Sequence, residues 1–338
     1  MYSFLNDYSE GAHPQVLDAL IKTNEVQTVG YGLDEYCKQA REIILKRIER
    51  DGDVHFLVGG TQTNAIMIDA ILKSYQAVMA CDEGHINVHE TGAIEATGHK
   101  VLTRPHKDGK LTIDMVQSML DEHTDEHMVQ PKMVYISQTT ELGSYYTYEE
   151  LKMLYEYTRK HHLYLFIDGA RLASSLSLKN APTLAQIAQN CDAFYIGGTK
   201  NGALFGEALV ILNDELKDGF RFYMKQKGAL LAKGRLLGVQ FYTLLKDDLY
   251  EQIGKHENEM AMIIKQAFIE KGYKLYIDSY SNQLFVDLPQ DMIQKIEEKY
   301  MITHIKKLDH NQERIRIVTS WHTDQKQVLE FANFLRSL

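Results

Sequence analysis

The sequence predicts an α/β protein: a large domain with a mostly parallel, seven-stranded sheet flanked by helices, then a smaller C-terminal α+β domain. Three observations predict it. Short apolar runs alternate with longer amphipathic ones up to residue 212, as strand–helix–strand units require. The apolar runs are nearly continuous, which suits strands buried on both faces of a parallel sheet. Beyond about residue 213 the pattern turns to a long helical stretch and a few late strands.

In chain order, VHFLV (54–58) reads as a strand and TQTNAIMIDAILKS as a helix. AVMAC (77–81) is the next strand, followed by a helix-like stretch near 90–97 and the strand KVLTR. A helix near 113–121 precedes KMVYIS (132–137). In YEELKMLYEYTRKHH, Leu151, Leu154, Tyr155 and Thr158 share one helical face. LYLFID (163–168), DAFYIGG (192–198) and ALVIL (208–212) complete the seven strands. A mostly helical stretch covers roughly 214–271, and QLFVDL (283–288), a helix over 289–300, RIRIVTS (314–320) and a helix from Asp324 close the chain. The domain boundary is placed near 245, giving 1–245 and 246–338.

A chain of 338 residues suggests about two domains at roughly 150 residues each. Apolar residues make up 44%, enough for a large core, so disorder is excluded as a class. The net charge of −9 comes without a long basic block, which argues against a nucleic-acid partner. Three cysteines, Cys37, Cys81 and Cys191, form no CxxC pair, so neither a disulfide framework nor a thiolate zinc site is expected. The N-terminus lacks a basic stretch followed by an apolar one, and no run approaches a membrane span. A cytoplasmic location is expected.

Several stretches carry chemistry. In FLVGGTQTN a strand ends at Gly59-Gly60, and Thr61-Gln62-Thr63-Asn64 opens a helix. Glycines permit close backbone approach, and a helix start offers N–H groups to a phosphate. The same residues would also serve as a plain strand-to-helix turn with a threonine cap. The run is neither GxGxxG nor a P-loop. Asp168 ends an apolar strand, where open α/β sheets place ligands. It pairs either with Arg171 or with a protonated ring nitrogen of a ligand. Lys200 stands among Gly197, Gly198, Thr199 and Gly202, and a lysine desolvated in such a cavity becomes an amine nucleophile. His85 and His89, four apart and followed by Glu90, offer a metal reading, but no HExxH or distant ligand supports it; a stacked imidazole is the better functional role. Arg314 and Arg316 share a strand face. One can grip a carboxylate, and the other is an ordinary salt-bridge residue.

Taken in order, a phosphate-type turn, a histidine, Asp168-x-x-Arg171, Thr199-Lys200 and a late arginine form the constellation that pyridoxal 5′-phosphate (PLP) needs. The chain resembles the L-threonine aldolase branch of the fold-type-I PLP enzymes, grouped with the β-eliminating lyases. The resemblance runs from NDYSEGAHP to RIVTSWHTD. It implies Gly60, Thr61, Gln62 and Thr199 as cofactor-binding residues and His85 as the residue stacked on the ring. Asp168 becomes the ring-nitrogen partner, and Arg171 a neighbour of the ring oxygen or substrate. Lys200 becomes the Schiff-base lysine. Arg316 is implied as the substrate-carboxylate arginine in preference to Arg314, and Tyr31 as a residue reaching the site from a neighbouring subunit. Lys225 and Arg235 fall where members place basic residues near the site across a dimer interface.

Two departures stand out. Asn6 occupies the place of a carboxylate-binding serine, and Glu141, in TTELGS, replaces a histidine near the substrate hydroxyl. The second pattern is similar to phenylserine-aldolase-like members. The catalytic base is left open between Glu141, His85 and a bound water. The resemblance implies cleavage of threonine, allo-threonine or a related β-hydroxy-α-amino acid to glycine and an aldehyde by a homodimer or homotetramer. A β-eliminating lyase or aminotransferase-like enzyme, and a non-catalytic PLP-fold binding protein, are the competing readings.

Overall fold

The computed structural model describes residues 1–338. The N-terminal part contains β1 (Tyr2–Ser3), α1 (Pro14–Thr23), α2 (Glu35–Ile48), β2 (Asp53–Leu57), α3 (Gly60–Ile71), β3 (Gln76–Cys81), α4 (His85–Val88) and β4 (Val101–Arg104). Next come α5 (Ile113–Glu122), β5 (Gln130–Ser137), α6 (Tyr148–Lys160), β6 (Tyr164–Asp168), α7 (Leu172–Leu176), α8 (Leu184–Gln189), β7 (Ala193–Gly197) and β8 (Glu207–Ile211). The chain ends with α9 (Phe220–Gln226), α10 (Arg235–Lys246), α11 (Leu249–Glu270), β9 (Gln283–Pro289), α12 (Gln290–Glu297), β10 (Tyr300–Met301), β11 (Thr303–Lys307), β12 (Gln312–Val318) and α13 (Gln325–Ser337).

Seven strands form the central sheet in the order β2-β8-β7-β6-β5-β3-β4. All neighbours pair in parallel except β8, which runs antiparallel to β2 and β7. The exception follows from connection length. The other sheet strands are joined through helices, whereas β7 and β8 are joined only by the loop carrying Lys200, and a short connection reverses the chain. The inner strands are buried along their length, β3, β7 and β8 completely. One apolar core lies on the face covered by α2, α10 and neighbouring helices, and a second on the face covered by α3 and α9.

The three-stranded sheet β11-β12-β9 packs with α11 and α13 around a third core. Phe4 belongs to that core, and β1 pairs in parallel with β10. The N-terminal segment thus runs along the C-terminal unit before reaching the site.

Three expectations are corrected. The helix near 90–97 is instead a single turn, α4, and a short 3₁₀ turn at Glu95–Thr97. Thr91 and Gly92 between them adopt left-handed backbone (φ 52° and 71°), which stops helix propagation. The helical stretch over 214–271 is broken at left-handed Gly219, Gly228 and Asp248. The helix over 289–300 ends at Glu297, and the chain turns into β10 and the exposed edge strand β11.

Candidate active site

A cavity of about 310 Å³ opens at the carboxyl ends of β2, β6 and β7, where sheets of this kind bind ligands. Gly60, Thr61, His85, Asp168, Thr199 and Lys200 line it, with Glu207 behind the lysine loop.

One wall is the start of α3. Gly59 occupies the N-cap with no side-chain hydrogen bond, so the threonine-capped turn does not form. Thr63 donates back to the Gly59 carbonyl at 3.0 Å, and Gln62 Oε1 accepts from the Val58 N–H at 3.2 Å. Both side chains stabilise the turn without covering the first-turn N–H groups, which stay available to an anion. A Cβ on Gly60 would stand 3.1 Å from the Tyr195 hydroxyl, so only glycine leaves that approach uncrowded.

Asp168 forms the floor and is almost completely buried. Tyr135, Tyr195, Asn64 and the Ala170 N–H all donate to it. Burial alone would raise its pKa, but the charge of His85 and the tyrosine and backbone hydrogen bonds outweigh burial and hold it below the ordinary carboxylate value. It is therefore an anion able to take a ring N–H. Asn64 also donates to Glu90 at 2.8 Å, and Glu90 Oε1 meets His85 Nδ1 at 2.7 Å. This chain fixes the imidazole at the cavity wall.

Lys200 faces the cavity without an ion pair of its own. Burial, helped by the charge of Arg171, pulls its pKa down against the opposing pull of Asp7, Asp168 and Glu207. A neutral amine is the nucleophile that an aldehyde requires, and burial favours that form of the lysine. Thr199 donates to Glu207 at 2.9 Å and accepts from the Gly206 N–H at 3.0 Å.

Arg171, Arg314 and Arg316 do not line that cavity, but the charges of Arg171 and Arg316 act on the groups around it. Arg171 is held by Asp7, Nε at 2.7 Å and Nη2 at 3.1 Å, and Asn282 completes the Asp7 shell. Its Asp7 contact occupies two guanidinium nitrogens. Arg314 pairs with Asp287 through two hydrogen bonds and stacks on Tyr276. Arg316 differs: Nη2 reaches only the Leu5 carbonyl at 3.3 Å, and Nε is buried without a partner. A buried guanidinium with an open donor is a site for a ligand carboxylate. His89 registers the convergence: burial, then the charges of His85, Arg316, Lys200 and Arg171, lower its pKa.

Glu141 Oε1 accepts from Ser137 Oγ at 2.6 Å and from the His85 N–H at 2.9 Å. Burial raises its pKa above the ordinary value, and the charge of Asp168 adds to the rise. Asn6 turns inward on its own segment, accepting from the Tyr8 N–H and Ser9. Tyr31, Lys225 and Arg235 do not line the Lys200 cavity of their own chain. Lys225 lies over the Tyr31 ring at 4.7 Å, and Arg235 caps the carbonyls of Thr23 and Asn24 at the end of α1. His85 and His89 rings stand 5.5 Å apart, but no group of three His, Cys, Asp or Glu side chains converges as a metal site.

The sequence reading misses Tyr135, Tyr195 and Glu207, and it names Asn64 only in the helix-opening turn and Glu90 only in the metal reading of His85 and His89. Asn64 offers a weak signal, the last polar residue before the apolar run at 65–68; the tyrosines look like core.

The donor set fits PLP: uncapped N–H groups for a phosphate, an ionised buried carboxylate for a ring N–H, and an unpaired lysine for an aldehyde. The fold and these groups together define the fold-type-I class of PLP-dependent proteins. The profile of the β-eliminating lyases matches residues 4–291, and the chain belongs to that family. It is 29% identical to a low-specificity L-threonine aldolase of Pseudomonas sp. (strain NCIMB 10558), over 99% of this chain and 97% of that protein. An aldolase of the same name from Escherichia coli K12 is 26% identical over 83% of each chain. The structure of Leishmania major threonine aldolase superposes with a TM-score of 0.98 at 49% identity, covering 100% of this chain and 99% of that one. A Staphylococcus aureus aminotransferase, 14% identical with a TM-score of 0.76, shares the fold.

Proposed function

We propose that the protein is a PLP-dependent aldehyde-lyase that cleaves the Cα–Cβ bond of L-threonine, L-allo-threonine or a related β-hydroxy-α-amino acid such as phenylserine. The products are glycine and an aldehyde. The observation that carries this reading is one cavity gathering Lys200, ionised Asp168 and the open start of α3, in a family whose similar members are named threonine aldolases.

Lys200 would hold the cofactor through its amine, Asp168 at the ring nitrogen, and His85 on the ring face. Gly60, Thr61 and Thr199 would hold the phosphate, with Gln62 shaping the turn. Bound PLP supplies an electron sink for the pair released at Cα. Arg316, through its open Nε, binds the substrate carboxylate. Arg171 sits beside it, with Asn6 on the flanking segment. Gripping the carboxylate fixes rotation about Cα and so selects the bond that breaks. Glu141 takes the proton from the β-hydroxyl oxygen; its raised pKa suits a base working near neutral pH. His85 keeps its wall position through Glu90. A proton returned to Cα completes glycine.

The reading includes a second copy of the chain. Ile21, Val29, Leu33 and Phe222 are apolar and strongly exposed, and they surround the Tyr31–Lys225 pair in sequence. Seated on another copy, these side chains would bring Tyr31, Lys225 and Arg235 towards its site. No helix is long and apolar enough to cross a membrane, and the proposed compartment is the cytoplasm.

Lys200→Ala tests the assignment. The variant should fold, lose the visible absorbance of lysine-bound PLP and fall to background turnover. Full activity in that variant would overturn the reading.

A further inference from the structure

A second polar cavity lies apart from the Lys200 site, and no residue lines both. It measures about 20 Å³, and Tyr31, Gly32, Arg41, His55 and Arg221 stand in its wall. Arg41 comes from α2, His55 from β2 and Arg221 from α9. Tyr31 and Gly32 form a turn with left-handed backbone (φ 61° and 72°), and each arginine holds one of its carbonyls. Arg221 Nη2 donates to Tyr31 at 3.2 Å and Arg41 Nη2 to Gly32 at 2.5 Å, while Arg41 Nε donates to Val54 at 3.1 Å. Arg41 Nη1 and Arg221 Nε and Nη1 are left without a protein acceptor, and neither guanidinium makes an ion pair. Asp34, whose charge reaches Arg41, is committed to the start of α2, where it accepts from the Cys37 N–H at 2.9 Å. His55 is 8% exposed, and its ring centroid lies 4.8 Å from that of Phe220. Its Nε2 is buried with no hydrogen-bond partner.

Three donors thus stand around one small space. Buried donors left open are costly, and so are like charges without a counter-ion. We propose that Arg41, Arg221 and His55 form a binding site for one monatomic anion, a chloride ion, which ties α2, β2 and α9 together behind the Tyr31 turn. The sign follows from the two arginines. The size follows from the volume, which admits roughly one water-sized particle and no carboxylate or sulfate. Burial lowers the pKa of Arg41 and the charge of Arg221 lowers it further; an anion between them offsets that repulsion. Burial and the charges of Arg221 and Arg41 bring His55 down to about 3. Its imidazole is therefore neutral, and the tautomer with a proton on Nε2 supplies the third donor.

The test is thermal melting of the PLP-loaded protein while sodium chloride replaces sodium gluconate at constant ionic strength. Gluconate is too large for the cavity, and bound PLP keeps the halide from the start of α3. The melting temperature should rise by about 2 °C or more once chloride exceeds its dissociation constant several-fold. His55→Phe keeps a ring against Phe220 but removes Nε2, and Arg221→Met removes the charge but keeps an unbranched stem. Both should lose most of the chloride response. Crystals soaked in bromide should show an anomalous peak between Arg41, Arg221 and His55. Equal melting in chloride and gluconate would overturn the proposal and leave a water in the cavity. A chloride response that survives in both variants would also overturn it, as a general salt effect. If neither variant folds, the absence of a bromide peak from this cavity overturns it. Failure to load PLP would contradict the aldolase reading alone, because the variants still report on this cavity.

Discussion

Arg314 and Arg316 lie two residues apart on β12 and meet different fates. Asp287 neutralises the first, while the second keeps a buried, open Nε. Arg316→Leu should raise KM about tenfold to a hundredfold, the worth of roughly 1.5–3 kcal/mol of hydrogen bonding to a charged group. Arg314→Leu should leave KM unchanged and cost about 1 kcal/mol of stability or less; steady-state kinetics and melting curves distinguish the two. Glu141 gives a pH prediction. A base must be ionised, and burial raises this carboxyl above its ordinary value, so kcat should fall as pH drops through that raised value. Glu141→Gln should lose that acidic limb and about 10²–10⁴-fold in kcat, read from a pH–rate profile. At this scale the sequence shows charged residues at strand ends and glycine turns, because local punctuation announces them. It does not show the contacts of Asn64, Glu90, Tyr135 or Tyr195, whose partners are up to 104 positions away. Nor does it show that Arg171 is already engaged by Asp7, a contact across 164 positions.

Among the elements, the seven central strands are legible because continuous apolar runs bounded by helices have few other interpretations. The weak spots have physical causes. Edge strand β11 is almost wholly exposed and carries polar residues, so it has no alternating pattern to detect. α7 is five residues long, too short for a periodic signal. Its placement depends on α11, which crosses it at Gly254. A Cβ there would lie 2.0 Å from the Ala173 carbonyl oxygen, and backbone cannot retreat cheaply. Gly254→Ala should therefore destabilise the protein by about 1–3 kcal/mol or more, measurable by calorimetry. The helix that follows Asp168 and Arg171 would shift with it, so KM should rise as well.

For the whole molecule, two cores sandwich the central sheet and a third gathers the C-terminal elements with Phe4. The chain's first residues thus reach Arg171 and Arg316 by way of the smaller unit, a path no local pattern announces. The exposed Phe222, 82% accessible, gives the proposed second copy a test. Phe222→Glu should shift the protein towards monomer in sedimentation velocity and lower its activity, because Tyr31 and Lys225 stand outside their own chain's cavity. The central claim is the bond that breaks. The most direct measurement is product analysis of the purified, PLP-loaded protein supplied with L-threonine, L-allo-threonine and phenylserine. The account predicts glycine and the matching aldehyde in equal amounts from at least one of them. A 2-oxo acid with ammonia, and no glycine, would contradict it.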